Sequence, residues 1–264
     1  MTDFFHYDAI AKMIDHSLLD PSLTTCELEE GCALAVRYNV ASVCILPYYL
    51  ARCAELLTGT TVHPATTIGF PHGGQRTAIK VAEARQALRD GGQELDVVMN
   101  TGKARSGDWQ YVNDELFALT QTIHSEGAKV KVIFEGACLD DASKVLLCEI
   151  CGAIGADWIE VSSEKPSGQE ILRDLELMRR HSAPRVQIKA AYDIRDFDSL
   201  LAVRSIGVSR VGATRTKPIL KECQRRLRRD HRNQATAWKV AERGMLSMGC
   251  VIPTASPSFL RSQG

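Results

Sequence analysis

The sequence lacks an excess of charge of either sign, and it lacks any apolar run long enough to cross a bilayer. It holds 32 Lys and Arg against 32 Asp and Glu, so its overall charge does not favour nucleic acid or an acidic membrane surface as a partner. A membrane-spanning helix needs about 20 apolar residues, and Glu149 interrupts even the stretch LLCEICGAIGA. We therefore expect neither a nucleic-acid-binding protein nor a membrane protein.

Two further absences bear on location and on metal. The N-terminal stretch MTDFFHYDAIAKMIDH has early acids and no basic flank, which is not the pattern of a secretory signal. Nine cysteines without such a signal are typical of reduced thiols in a cytoplasmic protein. Cys148 and Cys151 have the spacing of metal ligands, but they lie in a helical pattern without a second CxxC. Helix packing is the favoured interpretation, and we expect no metal site.

What the sequence does contain is a regular alternation of strand-like and helical segments. Eight such units in about 220 residues have the size of a (β/α)₈ barrel. A doubly wound fold is disfavoured because no GxGxxG follows the first strand. We predict an α/β fold with a single (β/α)₈ TIM barrel over residues 1–218 and a C-terminal helix and tail over residues 219–264. The predicted strands are MIDHSLL, ASVCILP, ATTIGF, ELDVVMN, KVKVIFE, DWIEVSS, RVQIKAA and VSRVGA.

The predicted C-terminal extension has a different character from the barrel. It contains the basic run LKECQRRLRRDHRNQ and ends in the Pro- and Ser-containing tail VIPTASPSFLRSQG. One interpretation is a closing helix with a solvated face followed by a loose tail. The alternative is an oligomer contact, as in a homodimer, or a patch that faces an anion.

Ionisable residues inside the predicted strands indicate a site. In a (β/α)₈ barrel the catalytic groups lie at the C-terminal ends of strands, and side chains alternate between lumen and exterior. Any one of these groups alone would fit a structural ion pair. Because buried charges are costly unless paired, the convergence of five predicts a functional site. The five that this alternation directs into one lumen are Asp15, Asp96, Lys131, Glu160 and Lys189.

The strand motifs also carry a family resemblance. In consistent order they resemble the motifs of the deoxyribose-phosphate aldolase family. The resemblance implies a barrel and a class I aldolase that cleaves 2-deoxyribose 5-phosphate to acetaldehyde and glyceraldehyde 3-phosphate. It further implies a lysine Schiff base and neither metal nor other cofactor. The motifs are MIDHSLLDPSLT, VCILPYYL, TTIGFPHGG, ELDVVMNTG, KVKVIFE, GADWIEVSS, VQIKAA and SRVGA.

The resemblance assigns roles to four of the lumen residues. Asp96 matches the family's proton-relay aspartate, and Lys189 matches its second lysine, whose charge lowers the pKa of its partner. Asp15 matches the acid of the first strand. Glu160 falls where the family has its Schiff-base lysine. An acid there is expected to raise the pKa of Lys189 by roughly one to three units, which disfavours a neutral amine.

The expected phosphate subsite also departs from the family. Tyr192 and Asp193 replace a Gly-Gly pair whose backbone N–H groups would approach phosphate oxygens. We therefore expect negligible cleavage of 2-deoxyribose 5-phosphate. The candidate substrate-binding residues around the mouth are Lys131, Cys44, Ser162, Tyr192, Thr214 and Arg215.

Three functions remain open from the sequence. The first is acid–base catalysis on a small carbonyl compound, with Glu160 as base, Lys189 as acid or oxyanion stabiliser, and Asp96 and Asp15 as relay. The reaction would be an aldol or retro-aldol step, enolisation, dehydration or cyclisation, and Arg215 would hold a carboxylate on an anionic substrate. The second is the parent aldolase activity through another lysine, such as Lys165. The third is a non-catalytic barrel with a binding or regulatory role.

Overall fold

The computed structural model describes residues 5–162, 168–191 and 194–229. The chain divides into two compact units, Met1–Glu222 and Cys223–Gly264. In the first unit, eight parallel strands close a barrel in the order β1 to β8. The strands are β1 Ile14–Leu18, β2 Ser42–Ile45, β3 His63–Ile68, β4 Glu94–Val98, β5 Lys129–Glu135, β6 Trp158–Ser162, β7 Gln187–Ala191 and β8 Arg210–Ala213.

Helices connect the strands, as parallel pairing requires. A further helix begins at residue 216 and runs to the end of the first unit, and the described residues 223–229 of the second unit are also helical. The α-helices of the barrel are α1 Tyr7–Ala11, α2 Thr25–Tyr38, α3 Leu50–Leu57, α4 Thr77–Arg89, α5 Thr101–Arg105, α6 Trp109–His124, α7 Asp141–Ile154, α8 Gly168–His181 and α9 Phe197–Ser205.

Local sequence chemistry explains where several helices begin and end. The Thr24 side chain accepts a hydrogen bond from the Glu27 backbone N–H, and the Glu27 carboxylate accepts one from the Thr24 backbone N–H, which forms a capping box at the start of α2. Asp140 caps α7 in a similar way through the Ser143 backbone N–H. Gly155 ends α7 at φ 79°, a left-handed conformation that glycine adopts without steric cost.

The predicted (β/α)₈ barrel is confirmed, and its strands lie within the predicted segments or close to them. Strand β5 coincides with the segment KVKVIFE, whereas β2 ends at Ile45 because a short 3₁₀ helix begins at Pro47. Cys148 and Cys151 are both buried on α7. Within the described ranges, no helix is long and apolar enough to cross a membrane, and no cluster of His, Cys, Asp and Glu is suited to hold a metal ion.

The strand register brings the predicted lumen residues to neighbouring positions. Lys131 on β5 pairs with Asp96 on β4, and Glu160 on β6 pairs with Lys189 on β7. Asp15 on β1 pairs with Gly212 on β8, where the barrel closes. All five ionisable side chains are buried, so the polar lumen forms part of the core of the barrel.

Candidate active site

Glu160 and Lys189 lie side by side on adjacent strands. Their carboxylate Oε2 and ammonium Nζ atoms are 3.1 Å apart. Both residues are almost fully buried, at 3% and 2% exposure, yet both line a cavity that opens at the carboxyl ends of the strands. Their side chains therefore reach a space where a small molecule can bind while the rest of each residue is shielded from water.

Two further carboxylates contact Lys189. Its Nζ lies 2.5 Å from Asp96 Oδ2 and 3.1 Å from Asp15 Oδ2. Burial alone would lower the pKa of Lys189, but Asp96, Glu160 and Asp15 together hold that pKa well above its usual value. Lys189 is consequently an ammonium ion in the resting protein. This agrees with the direction expected from the sequence for an acid at position 160.

Lys131 lies deeper in the barrel than Lys189. Its Nζ is 2.7 Å from both Glu94 Oε2 and Asp96 Oδ1, and 3.5 Å from Asp15 Oδ2. Burial acts to lower the pKa of Lys131, but the surrounding carboxylates raise it above its usual value. The side chain is fully buried and does not line the cavity. Lys131 therefore forms an ion pair with Asp96 on the side away from the cavity. The prediction from the sequence that Lys131 contacts substrate directly does not match this position.

Arg210 is a member of this cluster that the sequence interpretation missed. It lies on β8, donates to Asp15 Oδ1 at 2.5 Å, and donates to both oxygens of Glu94 at 2.9 and 3.0 Å. Its guanidinium carbon lies 5.0 Å from the centroid of the Trp158 ring. The signal that could have found it is the alternation in SRVGA, which places Arg210 on the same face as Gly212.

The charges of the cluster do not balance when every group is ionised. Because like charges in a buried site disfavour full ionisation, one carboxyl group is expected to hold a proton near neutrality. Burial raises the pKa of Glu160 to about 7, with Asp96 contributing in the same direction and Lys189 opposing it. Glu160 is thus the group that exchanges this proton. The four carboxylates are Asp15, Glu94, Asp96 and Glu160, and the three cations are Lys131, Lys189 and Arg210.

The cavity above this cluster has a volume of about 320 Å³. Six of the residues predicted from the sequence line it: Cys44, Asp96, Glu160, Ser162, Lys189 and Thr214. Asp15 and Lys131 lie beneath it, and Arg215 is exposed and does not line it. Tyr192 and Lys165 lie outside the described residues.

Three polar residues that the sequence interpretation missed, Ser17, Thr67 and Arg195, also line this cavity. Ser17 lies on β1, and Arg195 lies between β7 and α9. Arg195 and Thr214, which carry a guanidinium and a hydroxyl group, therefore both line the β7–β8 side of the cavity. This is the combination of groups that binds an anionic substituent.

Comparison with known proteins places the chain in a family. The sequence profile of the group described as "DeoC/LacD family aldolase" matches residues 9–184. The chain belongs to this family. It is 52% identical over 227 residues to the deoxyribose-phosphate aldolase of Rhodopirellula baltica, covering 86% of this chain and 94% of the relative. It is 38% identical over 207 residues to that of Thermococcus gammatolerans, covering 78% and 92%.

Solved structures of aldolases share the fold. An aldolase named QR15 superposes with a TM-score of 0.76 at 30% identity, covering 86% of this chain and 98% of that one. The deoxyribose phosphate aldolase of Aeropyrum pernix, whose structure is tetrameric, superposes with a TM-score of 0.75 at 24% identity, covering 83% and 92%. The resemblance inferred from the strand motifs is confirmed at the level of family and fold.

Proposed function

We propose that this protein is an aldolase that breaks or forms the bond between the α and β carbons of a small carbonyl compound, with 2-deoxyribose 5-phosphate or a close analogue as substrate. Two relatives named deoxyribose-phosphate aldolase are similar to this chain over nearly their whole length, and they favour this substrate over the negligible cleavage expected from Tyr192 and Asp193. The observation that carries the proposal is the Lys189–Glu160 pair, an amine and an acid–base group 3.1 Å apart in one cavity.

In this proposal Lys189 is the nucleophile. The Lys189 ammonium passes a proton to ionised Glu160, and the neutral amine adds to the carbonyl carbon of the substrate. Loss of water then gives an iminium ion, which draws the electrons of the bond between the α and β carbons. As that bond breaks, the β-hydroxyl loses its proton and the first aldehyde leaves. The resulting enamine is protonated at carbon, and water releases the second aldehyde. Asp96, 2.5 Å from Lys189, accepts or returns protons at the same nitrogen.

The proposal implies a slow enzyme, because Lys189 starts as an ammonium ion. A lysine with an ordinary pKa near 10.4 is neutral in about one molecule in a thousand or fewer at pH 7, and the pKa of Lys189 is higher still. The cavity wall suits the phosphate end of the substrate on the β7–β8 side, where Arg195 and Thr214 lie.

A second mechanism is favoured by that same high pKa of Lys189. Here Lys189 stays an ammonium ion and stabilises the negative charge that develops on the carbonyl oxygen. Glu160, with a pKa of about 7, removes a proton from the substrate as a general base. Aldol chemistry then proceeds through an enolate without a covalent intermediate. The substrate and cavity are the same in both mechanisms, and only the role of Lys189 differs.

The proposed activity is tested by measuring aldehyde release from 2-deoxyribose 5-phosphate with a coupled dehydrogenase. We expect turnover with kcat below about one per second in the wild type and none in Lys189→Met. Glu149→Gln, which alters an exposed carboxylate on α7, is the matched control and should behave as the wild type. The proposal is contradicted if the wild type releases no aldehyde, or if Lys189→Met retains the wild-type rate.

A further inference from the structure

A second cavity adjoins the one that holds Lys189 and Glu160. Its volume is about 450 Å³, and the two cavities share Phe70, Ile133 and Ser162 as walls. It lies towards the carboxyl ends of β3, β4 and β5, on the other side of the mouth from Arg195 and Thr214. A ligand at the reactive pair can therefore extend in two directions, and the proposed function uses only one of them.

We call this second cavity the side chamber and the cavity that holds Lys189 and Glu160 the main cavity. The polar residues that line the two differ. None of the described residues that line it is a lysine or an arginine. Its polar lining consists of His72, Thr101, Glu135, Cys138 and Ser162. Among the residues that the structure describes, the side chamber therefore offers no lysine or arginine to an anionic group and presents a carboxylate instead.

Glu135 is the group that gives the side chamber its chemistry. It is the last residue of β5 and has the same inward parity as Lys131 and Ile133. Its Oε1 atom is buried and has no hydrogen-bond partner among the described residues. The 3₁₀ helix that follows receives no capping hydrogen bond from the Glu135 side chain, so local structure does not satisfy this oxygen either.

An unsatisfied buried carboxylate oxygen is costly and is normally completed by a donor. Two other carboxylate oxygens in the described part of the chain, Asp15 Oδ2 and Glu160 Oε2, also lack a hydrogen bond. Each of these, however, lies 3.1 Å from the Lys189 ammonium, whereas no ion pair is found for Glu135 within the described part. The structure thus leaves an acceptor at Glu135 for a group that comes from outside.

The strand register gives the distance between Glu135 and the reactive Lys189–Glu160 pair. Ile133 pairs with Glu160 across β5 and β6, and Glu135 pairs with Ser162. Two residues along a strand correspond to roughly 6.6 Å, so Glu135 lies about that far beyond Glu160 towards the mouth. A substituent a few bonds from the reacting carbonyl group reaches it.

We infer that the side chamber binds a substituent of the substrate, distinct from its anionic group, that carries a hydrogen-bond donor, a hydroxyl or an ammonium group, with Glu135 as the acceptor that selects it. This inference rests on the proposed function for the position of the reacting carbonyl group, and it adds a specificity-determining residue. Anionic groups are excluded from the side chamber, because Glu135 would repel them without a compensating cation. They are directed to the β7–β8 side.

Binding can be tested without turnover, by following backbone amide shifts of the full-length protein in NMR titrations. The probes are 3-amino-1-propanol, 1,3-propanediol, 1-butanol and 4-hydroxybutanoate. We expect the amine and the diol to shift residues 135–138 and to bind about tenfold or more tightly than 1-butanol. Equal binding of 1-butanol, or tighter binding of 4-hydroxybutanoate at these residues, would overturn the inference.

Two variants assign the effect to Glu135. Glu135→Leu should remove the preference for the diol over 1-butanol. Glu135→Gln keeps an acceptor oxygen and loses the charge, so it should retain diol binding and lose the preference for the amine over the diol. If the leucine variant does not fold, the glutamine variant decides alone. Unchanged preferences in a folded variant refute the assignment, and Glu149→Gln should match the wild type throughout.

Turnover with different acceptor aldehydes is a second, independent measurement, and it distinguishes a failure of this inference from a failure of the proposed function. In aldol addition of acetaldehyde to acceptor aldehydes, 3-hydroxypropanal should exceed butanal in kcat/KM, and Glu135→Leu should reduce that ratio about tenfold. If no aldehyde reacts while the titrations show Glu135-dependent selection, the proposed function fails and the binding site stands. If aldehydes react without Glu135-dependent selection, the inference about the side chamber fails and the activity stands.

Discussion

Replacement of Glu160 by glutamine should change how stability depends on pH rather than simply weaken the fold. Lys189 keeps Asp96 at 2.5 Å and Asp15 at 3.1 Å in the variant, so its charge stays compensated. Glutamine is neutral at every pH and resembles protonated Glu160 in size. With glutamine at 160 the cluster holds three carboxylates against its three cations. The variant therefore resembles the low-pH state of the wild type.

The magnitude follows from the raised pKa of Glu160. Burial shifts this pKa from 4.5 to about 7. Below pH 4.5 both folded and unfolded chains hold the proton. Between pH 4.5 and 7 only the folded chain holds it, so the free energy of unfolding falls as pH rises through this window. Above pH 7 the loss is complete, at about 3 kcal/mol.

The assay is urea unfolding of the wild type and Glu160→Gln at intervals from pH 4.5 to pH 8. The stability of the variant relative to the wild type should rise by about 3 kcal/mol across this range. For a chain of this size, the same change corresponds to roughly 6–12 °C in the difference between melting temperatures. Other titrating groups are common to both proteins and cancel. Parallel curves for the two proteins over the whole range would refute a Glu160 proton with a pKa of about 7.

The remaining predictions concern activity and the buried cluster. In the wild type, kcat/KM should rise with pH through about 7, because Glu160 must be ionised to accept a proton; a profile that is flat between pH 6 and 8 would contradict this. Glu160→Gln should lower turnover by roughly 10²–10⁴ in the aldehyde-release assay, and an unchanged rate would remove Glu160 from the mechanism. Lys131→Met should cost about 3–5 kcal/mol of stability, measured by urea unfolding, because Glu94 and Asp96 lose their shared cation; a loss below about 1 kcal/mol would contradict it. Glu160→Lys should increase the amount of acetaldehyde adduct that borohydride traps on the protein, measured by mass spectrometry. No increase would contradict the match between position 160 and the family's Schiff-base lysine.

The barrel could be predicted from the sequence because two periodicities alternate along it. Strand segments of four to seven residues are rich in apolar residues, and the helices between them begin and end at recognisable capping residues such as Thr24 and Gly155. The period of two within strands also indicates which side chains face the lumen. This is how Asp96, Glu160 and Lys189 were found together.

The depth of each group in the lumen could not be predicted in the same way. Alternation tells which side of the sheet a residue faces, but its level along the barrel axis depends on the stagger between strands. Lys131 was therefore expected to contact substrate, although it lies beneath Asp96 and away from the cavity. The position of a side chain along the barrel axis is fixed only when all eight strands pair in the closed barrel.

Arg210 and Arg195 show two other limits of the sequence interpretation. Arg210 begins β8, and a charged residue at the start of a strand resembles a solvent-exposed one until the closure of β8 against β1 brings it to Asp15. Arg215 was expected to hold an anionic group, but β8 ends at Ala213 and Arg215 is exposed. Arg195 lines the cavity instead, and its position depends on the path of the chain after β7.

The most direct test of the proposed Lys189–Glu160 chemistry is borohydride trapping with acetaldehyde, followed by peptide mass spectrometry of the full-length protein. If Lys189 is the nucleophile, reduction should leave an ethyl group on the Lys189 nitrogen, and Lys189→Met should carry none in the corresponding peptide. An unmodified Lys189 in a protein that still releases aldehyde from 2-deoxyribose 5-phosphate would contradict the covalent mechanism and leave the enolate mechanism in its place.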